Sequence, residues 1–293
     1  MTAANNATLK MLNTFYTMMS DRQKALFHAH YAKIFRERGV VSKGEWTITF
    51  NGRKIKLPLR PLWSWLDWDS AVSILGHDLG VKQTYAALLE SKQRPALFLD
   101  VGANYGTHSV LFLAAGVPTI SFEPNPECFS HFDTICKLNG LVGRWERVAL
   151  GSQTGEVELA YPEKDTWFGS VAADVSLIMK ESFPVRTQKV MLKPLDDYFD
   201  ELASANILIK IDVEGFEPDV LRGARQIIVS LKPKIIFESN TAQARPILFG
   251  ILGEFGYSIH LLPWRPFDKS PALTFDQFLA SAATNFIAIT RPT

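Results

Sequence analysis

Asp100-Val101-Gly102-Ala103-Asn104-Tyr105-Gly106 decides the fold. It lies between the apolar run Leu97-Phe98-Leu99 and the segment Thr107-His108-Ser109-Val110-Leu111-Phe112-Leu113. That order is a buried strand, a tight turn and the start of a helix. Two glycines at such a junction let a ligand lie against backbone N–H groups at a helix N-terminus. An acid followed by this glycine turn points to a nucleotide-like cofactor. A dinucleotide site needs Gly-x-Gly-x-x-Gly so that pyrophosphate can approach the backbone. Here Asn104 and Thr107 stand at the second and third glycine positions. Asn tolerates positive φ better than other non-glycine residues, so the turn keeps its shape while presenting a polar side chain.

The next strand ends Ser121-Phe122-Glu123-Pro124-Asn125-Pro126, with Glu123 placed 23 residues after Asp100. An acid there accepts from both hydroxyls of an adenosine ribose, and such a bond to a charged group contributes roughly 1.5–3 kcal/mol. Free ribose hydroxyls fit S-adenosylmethionine or NAD and speak against NADP. Asp100 beside the cofactor's amino group, together with the missing pyrophosphate glycine, favours S-adenosylmethionine.

Working outward, strand-like runs at Leu97–Val101, Thr119–Phe122, Trp145–Ala149, Ile207–Ile211, Lys234–Phe237, Ser258–Leu262 and Phe286–Thr290 alternate with other segments. Helices fit Thr107–Ala115, Glu127–Asn139, Pro218–Leu231 and Ala242–Phe255. Continuous apolar strands with helices between them predict an α/β domain with a parallel sheet covered on both faces. Two stretches, 160–187 and 263–285, break the rhythm and read as long ordered insertions of the kind that carry function. Upstream, Trp46-Thr47-Ile48-Thr49-Phe50 and Arg53-Lys54-Ile55-Lys56-Leu57 alternate on either side of Asn51-Gly52, the signature of a β-hairpin. Residues 1–38 carry apolar positions at helical spacing up to Gly39, and residues 62–92 are aromatic-rich and then helical.

With 293 residues the chain can bury a sizeable core, and 47% hydrophobic with 21% charged residues is a globular composition. A net charge of +1 leaves no electrostatic footprint for nucleic acid or an anionic membrane. The densest basic cluster, Arg53, Lys54, Lys56 and Arg60, reads as a solvated strand face. No apolar run reaches the ~18–20 residues that span a bilayer, and the first residues lack a signal peptide's basic region and apolar core. The cytoplasm is the expected location. Cys128 and Cys136, if on one helix, are separated by roughly 12 Å of rise, too far for a disulfide.

The chain resembles the FkbM family of S-adenosylmethionine-dependent methyltransferases. The matching words are Phe98 to Gly106, Phe122-Glu123-Pro124-Asn125-Pro126, Val148-Ala149-Leu150-Gly151 and Lys210-Ile211-Asp212-Val213-Glu214-Gly215-Phe216-Glu217. Val220-Leu221-Arg222-Gly223-Ala224 and Phe237-Glu238-Ser239-Asn240 complete the set. The resemblance covers roughly residues 95–240; before that it is less specific, mainly the hairpin and Gly76-His77-Asp78. It implies a class I methyltransferase fold, a Rossmann-like seven-stranded sheet with the last strand antiparallel. It also implies O-methylation of a sugar, glycolipid, polysaccharide or polyketide hydroxyl. Residues 1–94 then form an N-terminal helical extension carrying the hairpin at 46–58, and 95–293 the cofactor-binding domain.

In open α/β sheets ligands bind outside the carboxyl ends of the strands. Asp212 and Glu214 end one candidate strand, and Glu238 and Asn240 follow another. Alternation along an extended tip places Asp212 and Glu214 on one side. The expected catalytic residues are Asp212, as base or acceptor-orienting group, then Glu238. Glu214 serves as an orienting group or as the cap of the following helix. The expected cofactor contacts are Asp100, Gly102, Ala103, Asn104, Tyr105, Gly106, His108, Ser109, Glu123, Pro124, Asn125, Val148 and Ala149, with adenine against Val148-Ala149-Leu150. Asp212, Glu238 and Asn240 are also an all-oxygen set suited to Mg²⁺, a rival account of the same positions. His108 is equally readable as a packed helix residue. Trp63, Trp65 and Trp68 read as core or lid packing before sugar stacking. Trp167-Phe168-Gly169-Ser170 and Trp264-Arg265-Pro266-Phe267 are candidates for the acceptor wall. Two readings stand beside the methyltransferase: an NAD-dependent oxidoreductase on the same sheet, and a non-catalytic cofactor-binding module.

Overall fold

The computed structural model describes residues 44–60, 76–163, 169–182, 184–202, 206–267 and 270–291. It also describes isolated positions between 14 and 26 together with Asp67, Ser70, Ser73 and Ile74. The helix expected over 1–38 lies largely outside the described residues. Trp63, Trp65, Trp68, Trp167 and Phe168 lie wholly outside them.

β1 (Gly44–Phe50) and β2 (Arg53–Leu59) form the hairpin across Asn51-Gly52, both at positive φ. Its inward residues Trp46, Ile48, Ile55 and Leu57 are buried. Helix α1 (Leu79–Glu90) precedes β3 (Leu97–Val101), and the glycine turn leads into α2 (Thr107–Ala114). Then come β4 (Thr119–Phe122), α3 (Pro126–Asn139), β5 (Arg144–Glu146) and β6 (Ala149–Leu150). Helix α3 starts where Asn125 accepts from the Glu127 N–H with Pro126 in the first turn, and it stops at left-handed Gly140.

The expected third strand, Trp145–Ala149, is divided: β5 stays in the main sheet, and β6 joins a separate three-stranded sheet with β7 (Gly155–Pro162) and β8 (Val185–Lys193). The stretch 160–187, read as irregular, thus contributes to two strands and α4 (Ala173–Ser182). After α5 (Phe199–Leu202), β9 (Ile207–Ile211) leads to two helices, where one was expected. These are α6 (Glu217–Arg222) and α7 (Arg225–Leu231). Gly223 lies between them, at a position where a Cβ would stand 1.8 Å from the Gly151 carbonyl oxygen. β10 (Lys234–Glu238), α8 (Ala244–Glu254), β11 (Tyr257–Leu261), α9 (Phe275–Ala280) and β12 (Asn285–Thr290) complete the described elements.

The main sheet has seven strands in the order β11-β12-β10-β9-β3-β4-β5, with β12 antiparallel to both neighbours and the other pairs parallel. Period-two alternation sorts its residues. Phe98, Leu208, Ile236 and Ile287 face a core shared with α1, α2, α3 and the hairpin. Leu99, Ile209, Ile235 and Phe286 face a second core built with α6, α7, α8 and α9. Asn139 ties the hairpin to α3: its carboxamide oxygen accepts from the Lys56 N–H at 2.7 Å and its NH₂ donates to the Lys56 carbonyl at 2.7 Å. No helix among the described residues is long and apolar enough to cross a membrane.

Candidate active site

Strand order reverses between β3 and β9, and the two chain directions leave a crevice beyond their carboxyl ends. A cavity of about 420 Å³ opens there. Gly102, Ala103, Asn104, Tyr105, His108, Glu123, Pro124, Asn125, Val148 and Ala149 line it, as do Asp212, Glu214 and Glu238.

Asn104 takes the left-handed conformation anticipated for it, φ 52°, and its N–H donates to Glu123 Oε2 at 2.9 Å. The Asn125 N–H donates to Glu123 Oε1 at 2.8 Å. Glu123 therefore braces the turn through one oxygen each way. Burial pushes its carboxyl up to about 7 even though both amides favour the ionised form. Leu150 and Leu159 add apolar wall beside Val148.

Three expected cofactor contacts do not reach the cavity: Asp100, Gly106 and Ser109. Asp100 is fully buried beneath the turn, where Ser109 Oγ donates to its Oδ2 at 2.6 Å and Ser121 Oγ lies 2.7 Å from Ser109 Oγ. Strand register explains this: Ser121, Asp100 and Lys210 are neighbours across β4, β3 and β9. Gly106 is a packing position, since a Cβ there would stand 2.1 Å from the Phe132 ring.

Lys210, missed as a site residue, is the central cation. It is 2% exposed, and its Nζ donates to Asp212 Oδ2 at 2.7 Å. A lysine interrupting the run Ile207-Leu208-Ile209-x-Ile211 is the signal that was available, because a buried charge needs a partner. Asp212, Glu214 and Glu238 each place one carboxylate oxygen within 4.8 Å of the others. The route differs from the expected extended tip: β9 ends at Ile211, and Glu214 is left-handed at φ 51°. Glu214 does not cap the following helix, whose N-terminus has no side-chain cap; Glu217 instead braces the turn before it, its Oε1 accepting from the N–H groups of Val213 and Gly215.

The three acids divide by environment. Burial alone would raise Asp212, but the Lys210 ammonium and a hydrogen bond with Glu238 hold it below the ordinary carboxylate value. Burial, then the Asp212 charge, pushes Glu238 up to about 10, and burial with the same neighbour pushes Glu214 to about 8. At neutral pH protonated Glu238 donates to ionised Asp212, and Lys210 balances the remaining charge. Asn240 is exposed and lines a separate cavity of about 300 Å³, which shares Glu214 with the main one. The expected oxygen set of Asp212, Glu238 and Asn240 is therefore not assembled, and the Lys210 ammonium already sits on Asp212.

Glu238 carries a measurable consequence. Above the ordinary value of 4.5 an unfolded chain releases this proton while burial and the Asp212 charge make the folded one keep it, so the fold is progressively disfavoured as pH rises. Glu238→Gln, neutral at every pH, should melt above the parent by a margin that grows from about pH 6 to about pH 9. A constant margin across that range would remove the buried proton from the account.

Ser70, Ser73, His77 and Asp78 also line the cavity. Lys82 donates from Nζ to the carbonyls of Ser73 and His77. Tyr85 Oη lies 3.1 Å from His108 Nδ1, and burial holds His108 well below its ordinary value, leaving it neutral. Trp264 is buried, its N–H donating to Thr84 Oγ1 at 2.9 Å, and it does not line the cavity. Of the expected acceptor wall, Gly169 lines the cavity; Ser170 is buried beside it, Oγ donating to the Glu214 carbonyl at 2.8 Å.

The family profile described as the methyltransferase FkbM domain matches residues 100–259. A curated protein of Beauveria bassiana (strain ARSEF 2860), Methyltransferase 1, is 27% identical over 145 residues, covering 44% of this chain. The chain spans 58% of that relative's length. A solved FkbM methyltransferase from Methylobacillus flagellatus KT aligns at 15% identity with a TM-score of 0.43, over 78% of this chain and 54% of its own. A solved SAM-dependent methyltransferase from Agrobacterium tumefaciens aligns at 11% identity with a TM-score of 0.43, over 87% and 72%.

Proposed function

Since this chain belongs to the FkbM methyltransferase family, we propose that it transfers a methyl group from S-adenosylmethionine to a hydroxyl of a sugar, glycolipid or natural-product small molecule. The observation that carries this reading is one cavity joining Glu123, just past the end of β4, to a cluster of three acids at the ends of β9 and β10. The residues fit the group. Glu123 retains lone pairs beyond those used by Asn104 and Asn125, and Val148, Leu150 and Leu159 offer an apolar slot for adenine.

When bound, the cofactor supplies an electrophilic methyl group on a sulfonium. The chain's part is to line up the acceptor and take its proton. Ionised Asp212 orients the acceptor hydroxyl by accepting from it. Glu238 fixes the Asp212 carboxylate by donating to it. Glu214, which burial and the Asp212 charge hold up at about 8, is neutral beside it, so Asp212 is the carboxylate left to receive the proton. Positioning accounts for most of the rate, roughly 7–11 kcal/mol against the 10²–10⁴-fold of a general base. The second cavity, where Val175, Ile178 and Met179 meet Glu214, Asn240 and Thr241, gives room for an apolar part of the acceptor. It favours a glycolipid or natural-product hydroxyl over a bare sugar.

Titration with S-adenosylhomocysteine and with NAD, followed by a labelled-methyl screen over glycosides and lipid-linked sugars, tests the reading. Exclusive binding of NAD would overturn it. Glu123→Ala should weaken S-adenosylhomocysteine binding at least tenfold, from two lost ribose bonds of roughly 1.5–3 kcal/mol each offset by water. An unchanged dissociation constant would remove Glu123 from the cofactor site.

A further inference from the structure

Ser70, His131 and Asp67 have the composition of a hydrolytic triad. Ser70 Oγ lies 2.8 Å from His131 Nε2, and His131 Nδ1 lies 3.5 Å from Asp67 Oδ1. The fourth member reverses the chemistry. Arg60 Nη2 lies 2.7 Å from His131 Nδ1 and 2.7 Å from Asp67 Oδ1. A guanidinium only donates, so Nδ1 must be the accepting nitrogen and the imidazole proton sits on Nε2. His131 therefore donates to Ser70 Oγ and cannot take its proton. Burial, then the Arg60 charge, agrees by pushing His131 down to about 3.

The orientation of one proton follows. With its oxygen already accepting from His131, the Ser70 hydroxyl must donate elsewhere. Ser70 is 3% exposed and lines the main cavity. A buried donor with no partner costs about 1–3 kcal/mol, so this proton asks for an accepting ligand atom. On the reading above, Glu123 takes the ribose and Val148, Leu150 and Leu159 the adenine. The strong acceptors left on the cofactor are the carboxylate oxygens of its amino-acid end, and His131, its ring edge-on to Tyr105 of the glycine turn at 5.4 Å, keeps Ser70 beside that turn.

We propose that Ser70 donates a hydrogen bond to the α-carboxylate of the cofactor's amino-acid end, and that His131 is the positioning residue that points the Ser70 proton into the cavity. This rests on the cofactor reading above. The test compares S-adenosylhomocysteine with 5′-methylthioadenosine, which keeps the adenosine and the thioether and lacks the amino-acid end. Ser70→Ala should weaken S-adenosylhomocysteine by about tenfold or more, as for a bond to a charged group, and leave 5′-methylthioadenosine within twofold, which also reports an intact fold. Ser70→Thr, keeping the hydroxyl, should recover most of the loss. Equal S-adenosylhomocysteine affinity in parent and Ser70→Ala overturns the role of Ser70 while the cofactor reading stands. Equal losses for both ligands also overturn it, because the amino-acid end is then not what Ser70 holds. No binding of either ligand by the parent protein overturns the cofactor reading and this assignment with it.

Discussion

Asp212→Asn is expected to lower methyl-transfer turnover by at least about 10³-fold while S-adenosylhomocysteine affinity stays within a few-fold. The substitution keeps an oxygen for Lys210 to donate to, so the buried ammonium is not left alone. Removing one partner of a buried pair outright costs about 3–5 kcal/mol, and Asp212→Ala would confuse unfolding with loss of chemistry. What Asn cannot supply is the negative charge that orients the acceptor hydroxyl and receives the Glu238 proton in a hydrogen bond. Misplacing the acceptor by about 1 Å can itself cost 10²-fold, and loss of proton acceptance adds to it. Calorimetry and single-turnover kinetics separate the two effects. Turnover within tenfold of the parent would take Asp212 out of the reacting group.

Gly102→Ala should be the most damaging change in the cofactor turn. Gly102 adopts φ 76°, where an L side chain is strained by roughly 1–2 kcal/mol. An added Cβ would stand 1.8 Å from the Asp212 carbonyl oxygen, a backbone atom with little room to retreat. Together with overpacking of about 1–3 kcal/mol, the melting temperature should fall by roughly 5–15 °C, with cofactor binding lost in what remains folded. Gly116→Ala is the control: it has a similar φ of 76°, but nothing lies within 4 Å of an added Cβ. Equal melting shifts for the two variants would reduce the Gly102 effect to backbone strain.

Central strands, the hairpin and the glycine turn were legible because each is specified locally, by apolar runs or turn chemistry. Asp100 shows the boundary of that reading. Its place in the motif was clear, yet strand parity sends its side chain under α2 toward Ser109 and Ser121, and parity across three strands is a property of register. Lys210 was visible as a charge in an apolar strand, and parity puts it on one side with Asp212 two residues on; the left-handed turn at Glu214, which ends that parity, was not visible. The second sheet was legible in part: Val157, Leu159 and Tyr161 alternate, as do Val190 and Leu192, and all five pack together. The surrounding Pro, Gly and Ser residues concealed that alternation. Nothing in spacing joins Arg60, Ser70 and His131, which meet through the two nitrogens of one imidazole on α3.

The contact of Gly102 with Asp212 has one more implication. The cofactor turn and the acid-bearing turn come from opposite halves of the sheet, and they touch backbone to backbone, with the Asp212 N–H also donating to the Val101 carbonyl at 3.0 Å. On the proposed reading, the gap between methyl donor and acceptor is then gauged by main chain, which point substitutions of side chains do not reset. A change of acceptor during divergence or engineering would have to be made in α4 and the outer cavity, leaving the inner gauge untouched.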